Sequence, residues 1–240
     1  MNLELQELAI VVTAKNYDPN LLSYSFLKHS GIVAEEWELA REPITNNRAS
    51  QILFNNGIYL TAQPNRFTFV EALNNKEESE AKIPQLMNRY VEILRNLESV
   101  AVGVNFRGYA SYNDTSVEST DYLKERFIQP GEWLNCGTEP VKAGLNLSYT
   151  YDSKKLHLSV NEAKLKVSPK EQLPVILFSG NFEYSLAELA LEERLELLQS
   201  TIKNWQGDLA IYRDVIGKMI KSSKELGSNK PIEAVAASHI

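Results

Sequence analysis

Cysteine is almost absent from this chain and histidine is scarce: Cys136 stands alone, and His29, His157 and His239 are the only imidazoles. A single cysteine forms no intrachain disulfide, and ligands this few and this scattered make no Cys/His zinc set. No metal or cofactor is therefore expected, and the setting reads as reducing and cytoplasmic. Long apolar runs are missing as well. The aliphatic stretch Leu8 to Val12 follows MNLELQE rather than a basic leader, which reads as neither signal peptide nor membrane span. Basic clusters are lacking too: the net charge of -6 is spread along the chain, whereas a nucleic-acid binder needs grouped Lys and Arg to neutralise phosphates. Nucleic acid and membrane are excluded as expected partners.

What is present, in 240 residues, is enough chain to bury a sizeable core and a sequence that repeats itself. FLKHSGIVAEEW, Phe26 to Trp37, returns as YLKERFIQPGEW, Tyr122 to Trp133, with Leu27/Leu123, Lys28/Lys124, Ile32/Ile128, Glu36/Glu132 and Trp37/Trp133 identical. Upstream, LAIVVTAKNY from Leu8 aligns without a gap on VAVGVNFRGY from Val100. That alignment matches Tyr17 with Tyr109 and Lys15 with Arg107.

Local signals give both copies one order. Leu8 to Ala14 alternates like a strand with one buried face. Asp18-Pro19 offers an N-cap with proline at the first helical position, opening a short helix that ends near Gly31. Ile52 to Ala72 reads as three antiparallel strands, turning at Asn56-Gly57, a type I′ signal, and at Gln63-Pro64-Asn65-Arg66. A helix from Pro84 carries Leu86, Met87, Tyr90, Val91, Leu94 and Leu97 on one stripe. The second copy supplies a hairpin around Asp152-Ser153, a strand from Val175 to Tyr184 and a long helix from Ala187 to Ile220, with Gly207 and Asp208 as a possible break. Its wide apolar stripe, including Trp205, suits core packing better than a coiled-coil seam.

The fold class expected is therefore α+β: two pseudo-duplicated β-α-β-β-β-α units forming an antiparallel sheet covered by two long helices. They make a single pseudo-symmetric domain over 1-226, with halves 1-98 and 99-226 and a disordered tail at 227-240. SGIVAEEWELAREPI from Ser30, NNGIYLTAQPNRFTFVEA from Asn55 and NWQGDL from Asn204 resemble a family of uncharacterised cyanobacterial proteins. The resemblance implies a bacterial cytosolic protein and supplies no activity, substrate or catalytic residue.

Motifs for chemistry are thin. Cys136 with His157 as base lacks any signal that brings the two together, and Ser179 in LFSGNF lacks the glycines of a nucleophile elbow. GVNFRG from Gly103 is not a phosphate loop. Asn113-Asp-Thr and Asn146-Leu-Ser match a glycosylation pattern that a cytosolic chain does not use. One constellation remains. Alternation puts Asn105 and Arg107, Asn146, Ser148 and Thr150, His157, Ser159 and Asn161, and Ser179, Asn181 and Glu183 on one side of the second-half strands. That side is either the wet face of a sheet covered on one side or a surface for a ligand or partner.

No catalytic residue is assigned. The ligand- or partner-binding set is Lys15, Asn105, Arg107, His157, Asn161, Asn181 and Glu183, with Lys15 and Arg107 expected to converge on an anion. The chain reads as a non-enzymatic binding protein, a monomer or weak homodimer, for an unknown protein or small anionic ligand. The alternative is a small-molecule binder or enzyme with a cavity between sheet and helices.

Overall fold

In the computed structural model, residues 2–74, 76–111, 119–139, 141–166 and 172–221 are described. The tail at 227–240 and the Asn113-Asp-Thr pattern lie outside them. The strands are β1 Leu3–Ala14, β2 Ile44–Thr45, β3 Ser50–Leu53, β4 Ile58–Gln63, β5 Arg66–Ala72, β6 Ser99–Ser111, β7 Gly144–Thr150, β8 Lys155–Lys166 and β9 Gln172–Ser185. All nine join one antiparallel sheet in the order β2-β3-β4-β5-β1-β6-β9-β8-β7. The fold is α+β. Outward from the central β1–β6 pair the order runs β5, β4, β3 on one side and β9, β8, β7 on the other.

Alternation decides which face is buried. Leu8, Ile10 and Val12 of β1 lie opposite Phe106, Val104 and Val102 of β6, and all six are buried. Side chains between them point to the other face. Among the described residues five α-helices accompany the sheet: α1 Tyr24–His29, α2 Ile83–Ile93, α3 Ser119–Phe127, α4 Leu191–Lys203 and α5 Trp205–Ile220. On the buried face, Tyr90 of α2 packs on Phe67 and Phe69, and Tyr212 of α5 packs on Phe106. Each such burial stabilises by about 1.5–3 kcal/mol.

Glu71 has a structural explanation. Its fully buried carboxylate accepts from the backbone N–H groups of Lys82 and Ile83 at 2.7 and 3.0 Å, where α2 begins, and from Lys76 Nζ at 3.1 Å. It thereby satisfies donors that a helix start leaves open and answers the partial positive charge there.

Four local expectations are corrected. The closing helix is two helices, interrupted at Asn204 (φ -90, ψ 18) rather than at Gly207. The segment after Asp18 is a 3-10 turn, Pro19–Leu21, and α1 begins only after Ser23, which caps it through Phe26 N–H at 3.2 Å. Gly57 has φ 83 but Asn56 is not left-handed, so the β3–β4 turn is not type I′; Gly57 N–H closes it on Phe54 C=O. Trp37 is half-buried with its ring 5.2 Å from Phe54, whereas Trp133 is 53 % exposed. Leu27 and Leu123 behave alike, each fully buried on its short helix. The turn at Gln63-Pro64-Asn65-Arg66 has Asn65 at φ 66, the positive angle its third position needs.

Candidate functional site

The face away from α2, α4 and α5 is open, and registers fix what stands next to what. Asn105 of β6 lies opposite Asn181 of β9, Asn181 opposite His157 of β8, and His157 opposite Ser148 of β7. This row crosses four strands, a span of about 14 Å at roughly 4.8 Å per step. On one side of it Gly103 faces Glu183; on the other, Arg107 faces Ser179. Asn161 stands farther along β8, its amide donating to Ser159 Oγ at 2.8 Å.

Polar contacts tie part of the row together. Ser148 Oγ and His157 Nδ1 are 3.1 Å apart, and His157 Nε2 is 3.4 Å from Glu183 Oε2. The His157–Glu183 pair is wet, with side chains 45 % and 54 % exposed. Serine, imidazole and carboxylate in series is the order a nucleophilic hydrolase uses. Ser148, however, sits within a strand, where backbone N–H groups lie in the plane of the sheet while its side chain stands perpendicular to it. No such donor aims at an oxyanion formed above Ser148.

Asn181 is different. Its Oδ1 is buried and has no hydrogen-bond donor among the described residues, whereas Asn105 Nδ2 donates across to the Ala9 carbonyl at 3.3 Å. Both amides close around Gly103, where an added Cβ would stand 3.2 Å from Asn181 Oδ1. The small residue there leaves a shallow pocket of about 240 Å³, bordered by Val11, Thr13, Arg66, Asn105, Asn181 and Glu183. A larger hollow of about 570 Å³ opens beside Glu4, Lys76 and Arg213. There Arg213 is already paired with Glu78, and Tyr109 donates to Glu4, so its polar groups answer one another.

The expected pairing of Lys15 with Arg107 does not form. Arg107 lies opposite Glu7 on β1, eight residues from Lys15, a separation of about 26 Å along an extended strand. Lys15 follows the end of β1 and is held by Glu98 at 2.5 Å. The gap-free alignment fails at this point because β1 stops at Ala14 while β6 runs on to Ser111. For the same reason Tyr17 is buried beyond its strand while Tyr109 lies within one.

Asn105, Arg107, His157, Asn161, Asn181 and Glu183 do share the open face. The set missed Arg66, Thr13 and Ser148. Arg66 and Thr13 were legible from alternation in the first half, since Thr13 is out of phase with Leu8, Ile10 and Val12 and Arg66 with Phe67 and Phe69; the register then sets the two opposite each other. Cys136 is exposed after the turn Glu132–Asn135, and its sulfur lies near the Glu132 carbonyl at 3.9 Å, while the His157 ring nitrogens face Ser148 and Glu183. Among the described residues no helix is long and apolar enough to cross a membrane. No protein-family model matches the chain, and no curated protein is significantly similar to it.

Proposed function

We propose that the chain is a non-enzymatic cytosolic binding protein whose open sheet face receives a protein partner. The carrying observation is Asn181, which lines the shallow pocket beside Arg66 and Glu183 and whose buried carbonyl oxygen has no donor among the described residues. A buried acceptor left unpaired costs about 1–3 kcal/mol, and a rotation of the amide toward a partner's N–H removes that cost. Neither Arg66 nor Arg107 has an ion-pair partner among the described residues, so both are available to a partner's carboxylates. A flat, solvated face suits a macromolecule better than an enclosed small ligand. Arg107, His157 and Glu183 are exposed on this face and do not line a cavity between sheet and helices.

The reading includes an origin by duplication of a β-α-β-β-β-α unit. Its support is the matching strand order on either side of β1–β6 and the buried pair Leu27 and Leu123. The motif resemblance supports a bacterial, cyanobacterial source. The test is capture by the immobilised full chain from a cyanobacterial lysate, comparing wild type with Asn181→Lys, Arg66→Glu and the helix-side control Lys203→Glu. The reading expects bound proteins to be lost with the first two variants and kept with the third. Equal capture by all four refutes it.

The Ser148–His157–Glu183 series favours a second reading, a hydrolase. Covalent labelling by a fluorophosphonate that Ser148→Ala abolishes is the result expected of that reading and of no other.

A further inference from the structure

The two ends of the sheet are finished differently. At the first-half end, the outer edge of β3 is occupied: Ala40 N–H donates to Leu53 C=O at 2.8 Å, Asn55 N–H donates to Glu38 C=O at 3.0 Å, and β2 pairs with Ser50 and Gln51. At the other end β7 pairs with β8 through all seven residues from Gly144 to Thr150, without a register break. Among the described residues nothing pairs with its outer edge.

That edge lacks three devices that commonly blunt one. GLNLSYT has no charge and no proline, and its ladder has no bulge. Its core-side residues Leu145, Leu147 and Tyr149 are only half-buried, although their counterparts Leu156, Leu158 and Val160 on β8 are fully covered. A row of backbone groups and a row of apolar side chains are thus left open together.

We propose that β7 is a homodimer edge, pairing antiparallel with β7 of a second copy about a twofold axis at Leu147. The occupant follows from the strand's own pattern. An antiparallel pairing centred on Leu147 sets Leu145 against Tyr149 of the partner subunit and Asn146 against Ser148 of the partner subunit. Leu147 then meets its own copy. Apolar positions meet apolar ones on the helix side, and polar positions meet polar ones on the open side, as cross-strand pairs require. No like charges are opposed, although the chain as a whole carries a net charge of -6. An isologous contact of this kind closes on itself and yields a dimer rather than a filament. It joins the two sheets into one and brings both open faces side by side, independently of what those faces bind.

The register makes the test specific. Asn146 and Ser148 are exposed on the open face, so changing them leaves the core intact. In the double variant Asn146→Lys/Ser148→Lys, each lysine at 146 meets a lysine at 148 of the second copy. In Asn146→Glu/Ser148→Lys each meeting is a Glu with a Lys. By sedimentation velocity on the full chain, wild type is expected to show a concentration-dependent dimer. The Lys/Lys variant should weaken it by at least about 100-fold, and the Glu/Lys variant should stay within about 10-fold of wild type, because like-charge juxtaposition costs several kcal/mol. Thermal melts of both variants check that they fold. A wild type that is monomeric at about 100 μM, a Lys/Lys variant that dimerises like wild type, or equal weakening in both variants overturns the proposal.

Discussion

Tyr212 shows how single residues shape the core. Its ring lies against β9 where an added Cβ on Gly180 would meet ring atoms at 2.7 and 2.9 Å, and its hydroxyl donates to the Phe178 carbonyl at 2.9 Å. Gly180→Ala therefore forces either ring or strand to move, an overpacking cost of about 1–3 kcal/mol measurable by urea unfolding. Gly217 is the opposite case: it lies within α5 with nothing within 4 Å of an added Cβ. Gly217→Ala should stabilise by about 0.5–1 kcal/mol, since the helix propensity gain is unopposed.

Tyr17 and Tyr90, both buried, share a hydroxyl–hydroxyl bond of 2.6 Å. Burial raises both phenols above their ordinary value near 10.0; for Tyr17 the bond to Tyr90 partly opposes this, and for Tyr90 the neighbouring Tyr17 adds to it. The unfolded chain thus loses these protons first as pH climbs. The stabilisation is complete below about pH 10 and is lost above it. The double variant Tyr17→Phe/Tyr90→Phe should flatten the fall of stability above that pH. An unchanged slope would assign the fall to other buried phenols such as Tyr184 and Tyr212.

At the scale of elements, the second half is pinned by a buried ion pair. Asp208 in the first turn of α5 is fully buried, accepts from Lys154 Nζ at 2.5 Å in the β7–β8 turn, and accepts from Tyr184 Oη at 2.8 and 3.0 Å. Lys154 also lies 5.2 Å from the centre of the Phe182 ring. Asp208→Asn leaves that ammonium with no counter-charge at this contact and should cost about 3–5 kcal/mol, whereas replacing both Asp208 and Lys154 by apolar residues should cost far less. Trp205, 6 % exposed at the start of α5, should cost about 3–5 kcal/mol on truncation to Ala. Alternation and the 3.6-residue stripe made these strands and helices legible because each reports which face is buried. They do not report where a helix breaks. Asn204 interrupts the closing helix although the stripe continues through it, since apolar spacing is the same whether one helix or two carry it.

The whole molecule turns on the seam between β1 and β6. Alternation told which side each residue takes, but a strand's register and length are set by its partners, and so Lys15 and Arg107 were matched in sequence yet stand far apart in space. The open face was legible as a polar row; the buried oxygen of Asn181 was not, because it depends on Gly103 of the neighbouring strand, diagonally across the β6–β9 register. The proposed duplication makes the seam testable. Cutting between Glu98 and Ser99 leaves β1 and β6, of 12 and 13 residues, each with one naked edge, and uncovers Leu8, Ile10 and Val12 beside it. It also separates α2 from α4, which pack together across the halves. Neither fragment can bury its edge alone, and each carries a strand that its own kind could pair with about the same axis. Fragment 1–98 is therefore expected to self-associate by sedimentation, and adding fragment 99–240 should convert it to a one-to-one complex with the circular dichroism of the intact chain. If fragment 1–98 folds as a stable monomer, β1 does not need β6 and the two halves are independent units that merely share a sheet.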